Sequence, residues 1–141
     1  MDFGSSYGES RRGSEEMAGV AKKILYVQTS GPDAPERLYP PFVLASTARA
    51  MGLEATVYFL GKGILAIRKG EPEKIQLGSF PPLKDVIDQA VAAGVQVMIC
   101  SQSARLWGTE ASPDEFEQPS KIVGAATLND LALEYDAVLT F

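Results

Sequence analysis

The chain has 141 residues, 45% of them hydrophobic and 22% charged, with a net charge of −5. That size and balance fit one globular domain with an apolar core, needing no metal or disulfide staple to fold. There is no histidine and only one cysteine. This excludes Ser-His-Asp and Cys-His catalysis, histidine-bearing metal sites, thiolate clusters within one chain and any intrachain disulfide.

Basic residues are scattered as the doublets Arg11-Arg12, Lys22-Lys23 and Arg68-Lys69, so there is no nucleic-acid footprint. The first twenty residues lack the apolar run of a signal peptide, and the most apolar stretch, Val91–Cys100, is interrupted by Gln96, well short of the ~18–20 residues a membrane span requires. The expectation is a cytoplasmic protein in a reducing compartment, without membrane or nucleic-acid partners and without metal or cofactor.

Residues 1–21, rich in Gly, Ser and charge, read as a disordered arm ahead of an α/β domain over 22–141. After Lys23, the run Ile24-Leu25-Tyr26-Val27 has the continuous apolarity of a strand buried on both faces. Thr29–Asp33 is a turn cluster, followed by a helix from Pro35 to Met51 that Gly52 stops and that the prolines break near Tyr39. Ala55–Leu60 is a second strand. Gly61-Lys62-Gly63 opens a short helix to Arg68, and residues 70–82 form a loop in which Lys74–Leu77 reads as a small extra strand.

Leu83, Val86, Ile87, Ala90 and Val91 then make one apolar helical stripe, ended at Gly94. Val95–Cys100 is the third strand, Ser101–Trp107 a short helix closed at Gly108, and 109–121 an acidic loop expected to be exposed. Ile122-Val123 is a short strand, Thr127 caps a helix over Leu128–Tyr135, and Ala137–Phe141 is the last strand. Leu106, Trp107, Tyr26, Tyr58 and Phe59 read as packing residues. Phe116, in the acidic loop, reads as an exposed aromatic suited to a subunit contact. Apolar strands alternating with helices predict a flavodoxin-like or Rossmann-like open, mostly parallel sheet of four or five strands with helices on both faces.

In such sheets ligands bind at the carboxyl ends of the strands. Three segments converge there: Thr29–Asp33, Gly61–Gly63 and Cys100–Ser103. By residue type alone Cys100 is a small buried hydrophobe. Its place at a strand end, one residue before a helix, instead favours an acidic, functional thiol, with Ser101, Gln102 and Ser103 beside it. Gly61, Lys62 and Gly63 either form a tight turn or cradle an anion on backbone N–H groups; neither P-loop nor dinucleotide spacing is present. Ser30, Gly31 and Asp33 serve the turn after the first strand or line the pocket.

The segment Cys100-Ser101-Gln102-Ser103-Ala104-Arg105-Leu106-Trp107-Gly108 resembles the C-x-x-S-x-x-L-x-G segment of DsrE/DsrF-like proteins. The first strand with Ser30-Gly31-Pro32-Asp33, the Gly-containing turn after the second strand and the ending Thr127–Phe141 resemble that family too. The resemblance, running from Lys22 to Phe141, implies a flavodoxin-like fold assembled as a homotrimer or homohexamer. It also implies a cytoplasmic sulfur relay in which Cys100 accepts a persulfide or thiosulfonate and exchanges it with a TusA-like carrier. Some members that carry thiosulfonate have a second cysteine a few residues on; Ser101–Gly108 has none, which excludes a resolving thiol within the chain. The alternatives are a non-catalytic oligomeric module binding a small anion or a partner, and a thiol redox sensor.

Overall fold

The computed structural model describes residues 22–141; the expected arm, 1–21, lies outside the described residues. β1 (Lys23–Gln28) has strand neighbours at both edges, and its apolar side chains enter a packed cluster on each face of the sheet. It pairs in parallel with β2 (Glu54–Phe59), Val27 opposite Tyr58, and with β5 (Ala137–Thr140), Tyr26 opposite Leu139. β2 pairs with β3 (Gln96–Cys100), and β3 with β4 (Lys121–Val123), Cys100 opposite Val123. The result is an open five-stranded parallel sheet of order β4-β3-β2-β1-β5.

Alternation along the strands sorts side chains onto two faces. Tyr26, Val57, Phe59, Val97 and Ile99 point to one, where α1 (Tyr39–Ala50) and α2 (Leu83–Ala92) supply Phe42, Ala45, Val86 and Ile87. Leu25, Val27, Tyr58, Met98 and Cys100 point to the other, against Leu128 and Leu131 of α4 (Ala125–Glu134) and the following Tyr135. No residue of α4 is fully buried, so this second layer is the thinner one. The chain runs β1 to β4 in one direction and returns across the α4 face to β5, leaving the carboxyl ends of β1, β2 and β3 side by side.

The two prolines break the first helical segment as expected: a 3-10 turn spans Pro35–Arg37 and α1 begins at Tyr39. Pro40 and Pro41 sit in the first turn, where a missing N–H costs no helical bond. Four expectations are corrected. Gly61–Ala66 is a 3-10 segment, not an α-helix. Lys74–Leu77 forms no strand; a 3-10 turn covers Pro72–Lys74, and Ile75 enters the core while its carbonyl accepts from the Leu83 N–H at 2.8 Å. Gly124, not Thr127, is the N-cap of α4, and Thr127 lies inside the helix with its N–H on the Gly124 carbonyl at 3.1 Å. Leu106 and Trp107 do not pack inward; they are 78% and 42% exposed, because α3 (Ser101–Leu106) is too short to lay a second turn on the sheet.

The 109–121 segment is the fifth correction. Phe116 is 0% exposed and belongs to the core. Its neighbours pin it there: Lys69 N–H donates to the Glu115 carbonyl at 2.9 Å, Glu117 N–H to the Ile67 carbonyl at 2.9 Å, and Gly70 N–H to Glu117 Oε1 at 2.8 Å. Acidic flanks thus tie the loop to the 67–70 segment by hydrogen bonds and drive its one aromatic inward. Phe116→Ala is expected to cost about 3–5 kcal/mol, as a core truncation does, read as a lower urea midpoint. A change within ~0.5 kcal/mol, as at a surface position, would return Phe116 to an exposed role.

Candidate functional site

Cys100 is the last residue of β3 and the N-cap of α3. It is 2% exposed, set among Leu25, Val27, Tyr58 and Met98, with Leu60, Val123 and Leu128 packed against the group. Its thiol donates to Gln102 Oε1, 3.6 Å from Sγ. The same oxygen accepts from Ser101 Oγ and from the backbone N–H of Ala125, each at 3.2 Å. Gln102 therefore links α3, the cysteine and the first residue of α4.

Burial pushes the Cys100 thiol up. The Ser103 hydroxyl and N–H, the Tyr58 hydroxyl and the Gln102 N–H all favour the thiolate and outweigh it, so the thiol titrates below its ordinary range. The Ser103 hydroxyl is set up for this. Its Oγ accepts from the Gly61 N–H at 2.7 Å, leaving its own proton free to reach sulfur. Tyr58, fully buried, donates to the Gly124 carbonyl at 2.9 Å. Burial and the neighbouring Cys100 hold its phenol far above the usual range, so it remains a donor.

The other predicted residues form an adjoining cluster. Lys62 Nζ lies 2.7 Å from Asp33 Oδ2, lowering the Asp33 carboxyl, and the Lys62 side chain crosses Gly31, where a Cβ would stand 2.9 Å from Lys62 Cγ. Ser30 is tied through its backbone, its N–H to the Phe141 carbonyl at 3.3 Å and its carbonyl accepting from Gln28 Nε2 at 3.2 Å. Gly61, at φ +60°, gives its N–H to Ser103, and Gly63 gives its own to the Leu60 carbonyl at 3.1 Å. The N–H groups of Gly61 and Gly63 are thus engaged within the protein. Gly63 is glycine for close approach: a Cβ there would lie 2.1 Å from the Gln28 carbonyl oxygen.

Tyr58 is a neighbour of Cys100 that sequence reading assigned only to the core. Its signal was the shared strand parity with Cys100, hidden until the β2–β3 register (Tyr58 opposite Met98) was known. Two depressions lie away from Cys100. One, of about 370 Å³ and lined by Val95, Met98, Pro119 and Lys121, opens at the amino ends of β3 and β4. The other, an apolar groove of about 460 Å³, runs along α1 between Val43, Leu44 and Phe80. Among the described residues, no three His, Cys, Asp or Glu side chains gather as metal ligands would, and no helix is long and apolar enough to cross a membrane.

A parallel five-stranded α/β sheet with a cysteine at the end of β3 and C-x-x-S leading into α3 defines the class. Residues 22–141 match the DsrE/DsrF-like family, and the chain belongs to it. It is 30% identical over 115 residues to an uncharacterised protein of Methanocaldococcus jannaschii, covering 80% of this chain and 41% of that one. Over 48 residues it is 42% identical to the sulfur carrier protein DsrE2 of Allochromatium vinosum, covering 34% and 29%. The chain thus spans less than half the length of these curated relatives. In fold it is similar to the ychN protein of E. coli, with a TM-score of 0.70 at 22% identity over 85% of this chain and 99% of that one. A protein of unknown function from Methanobacterium thermoautotrophicum gives a TM-score of 0.58 at 13% identity over 86% and 100%.

Thiolate absorbance against pH is expected to place the Cys100 ionisation below that of an ordinary cysteine thiol, and Ser103→Ala to raise it, because a hydrogen bond to the charged form is lost. Because the folded value lies below the unfolded one, the stability this group adds is full above the unfolded value and is lost as pH falls through the folded value. Cys100→Ser should flatten that part of the stability–pH curve, which denaturant titrations at several pH values will show.

Proposed function

We propose that the protein is a cytoplasmic sulfur carrier that holds sulfane sulfur on Cys100. The observation supporting this reading most directly is the hydrogen-bond shell at the end of β3. The Ser103 hydroxyl and N–H, the Tyr58 hydroxyl and the Gln102 N–H stand beside the sulfur and favour its anionic form. They suit a thiolate nucleophile and, equally, the negative charge of a persulfide adduct.

The step is an exchange without net redox change. The Cys100 thiolate attacks the outer sulfur of a donor persulfide, R–S–SH. A new S–S bond forms on Cys100, the donor's S–S bond breaks, and R–S⁻ leaves with the electron pair. An acceptor thiolate repeats the attack on the outer sulfur of Cys100 and restores the starting thiolate. Among the described residues no carboxylate, lysine or histidine is bonded to the thiol, so the attacking thiol must already be ionised, as a depressed thiol allows. Ser101, Gln102 and Ser103 line the sulfur; Ser30, Gly31, Asp33, Gly61, Lys62 and Gly63 shape the adjoining rim where donor or acceptor approaches. A TusA-like carrier is the partner that family resemblance suggests. A homotrimer or homohexamer is the assembly in this reading, supported by the edge strand β5, where Val138 and Leu139 are 43% and 44% exposed.

The 2% exposure of Cys100 favours a second reading, in which the cysteine is core and the module binds a partner without chemistry. Intact mass separates the two. Reduced protein treated with polysulfide, thiosulfate or tetrathionate is expected to gain sulfane or thiosulfonate mass, and Cys100→Ser to gain none. No adduct on the native protein, alongside a control thiol that reacts, would leave the binding module as the reading.

A further inference from the structure

Resting on the carrier reading, the open question is how a sulfur with 2% exposure meets two other thiols. Part of its cover is the β4–α4 junction. Val123 pairs with Cys100 across the sheet, and Val123 and Leu128 pack against the group that holds it. Between them, Gly124 and Ala125 are fastened by two side-chain bonds: the Tyr58 hydroxyl to the Gly124 carbonyl at 2.9 Å, and Gln102 Oε1 to the Ala125 N–H at 3.2 Å. Both fastening groups are also partners of the sulfur. Gln102 Oε1 accepts the thiol proton at 3.6 Å, and the Tyr58 hydroxyl is a donor for the thiolate.

We propose that the Gly124–Ala125 junction is a latch over Cys100 that responds to the charge on its sulfur, closed by Tyr58 and Gln102 when the sulfur is protonated and released when it is anionic. While Sγ carries its proton, Gln102 Oε1 accepts from both Cys100 and Ala125, and the single Tyr58 proton serves Gly124. When the thiol gives its proton to solvent, a carbonyl oxygen facing an anion is repelled. Turning the amide to present Nε2 satisfies sulfur and leaves the Ala125 N–H without its acceptor. Tyr58, with one proton, gains the anion only by leaving the Gly124 carbonyl. Each gain at sulfur is thus a loss at residues 124–125, and α4 has no fully buried residue to hold it in place, the condition under which segments open locally. A persulfide anion on Cys100 has the same effect, so the latch loosens whenever the site is charged for transfer. Tyr58 and Gln102 act here as positioning residues.

Among the described residues the titratable group facing this sulfur is Tyr58 from β2; Tyr135, at the end of α4, packs against the same apolar group but is bonded to Thr56 Oγ1 at 2.7 Å, level with Gln96 near the amino ends of the strands; α3 presents Ser101, Gln102 and Ser103. Hydrogen exchange on the full chain tests the latch, reading the amides of 124–128 below and above the Cys100 ionisation. Thiolate absorbance follows the ionisation, Cys100→Ser corrects for intrinsic pH dependence, and the scan stays below the range in which phenols titrate, about 10. Wild type is expected to gain about tenfold in exchange over Cys100→Ser once the thiolate forms, the worth of one or two hydrogen bonds. Gln102→Ala and Tyr58→Phe should exchange rapidly on both sides of the transition. The latch is overturned if the thiolate forms while exchange follows Cys100→Ser, or if Gln102→Ala stays slow and still responds. Sulfur uptake is read separately: uptake with unresponsive exchange removes the latch and keeps the carrier, and responsive exchange without uptake does the reverse.

Discussion

The in-register parallel pairing of β2 with β3 is the constraint on which the site depends. Tyr58 opposite Met98 and Phe59 opposite Ile99 put the Tyr58 phenol on the same face as Cys100, two residues short of it, and bring the turn after β2 level with the start of α3. From that register follow the 2.7 Å bond between Gly61 N–H and Ser103 Oγ and the reach of Tyr58 to Gly124. A shift of one residue would send Tyr58 to the α1 face and leave the sulfur with backbone donors and Ser103 alone. The register is protected by burial on both faces: Val57 and Phe59 have no place among the Leu25 and Met98 cluster that would reproduce their own.

The cause of the acidic thiol is local. A helix dipole contributes ~0.3–1 kcal/mol near its end, and α3, with six residues, is a weak source of one. Hydrogen bonds to a charged group are each worth roughly 1.5–3 kcal/mol, and the Ser103 hydroxyl and N–H and the Gln102 N–H stand as donors for the Cys100 thiolate. Directed donors therefore outweigh the dipole as the reason the thiolate survives burial. The Gly61 turn takes part indirectly. By donating to Ser103 Oγ it fixes which way that hydroxyl's proton points, and the engaged N–H groups of Gly61 and Gly63 make the turn a brace for the cysteine.

The sheet was legible because its strands are short, apolar and separated by Gly and Pro, and α2 because its stripe is regular. Legibility failed where one residue answered to a distant partner. Phe116 looked exposed because its neighbours are acidic, yet those neighbours bond the 67–70 backbone and draw it inward. Thr127 looked like a cap by type, but Gly124 supplies the extended backbone and the carbonyl that the helix start needs. Leu106 and Trp107 looked like core because apolar residues near a helix usually are; the Gly108 stop ends α3 before they can turn inward. Cys100 was singled out by its place at a strand end, and the structure puts it at the end of β3. Tyr58 was missed because its role depends on which strand lies beside β3, and strand order is not written in local pattern.

Burial and reactivity at Cys100 are compatible if exposure is conditional. A persulfide is a better nucleophile than the thiol that carries it and is open to oxidation, so a carrier that left its sulfur in water would lose cargo between partners. A carrier that sealed it permanently would never load. With no histidine in the chain, no side chain near the sulfur can take up and return a proton at neutral pH. Control has to act through hydrogen bonds that already exist, and these are the bonds that Tyr58 and Gln102 divide between the sulfur and the start of α4. The same two side chains that answer to the charge on the sulfur also close the cover over it. One proton on one sulfur is enough to shift the balance between those tasks.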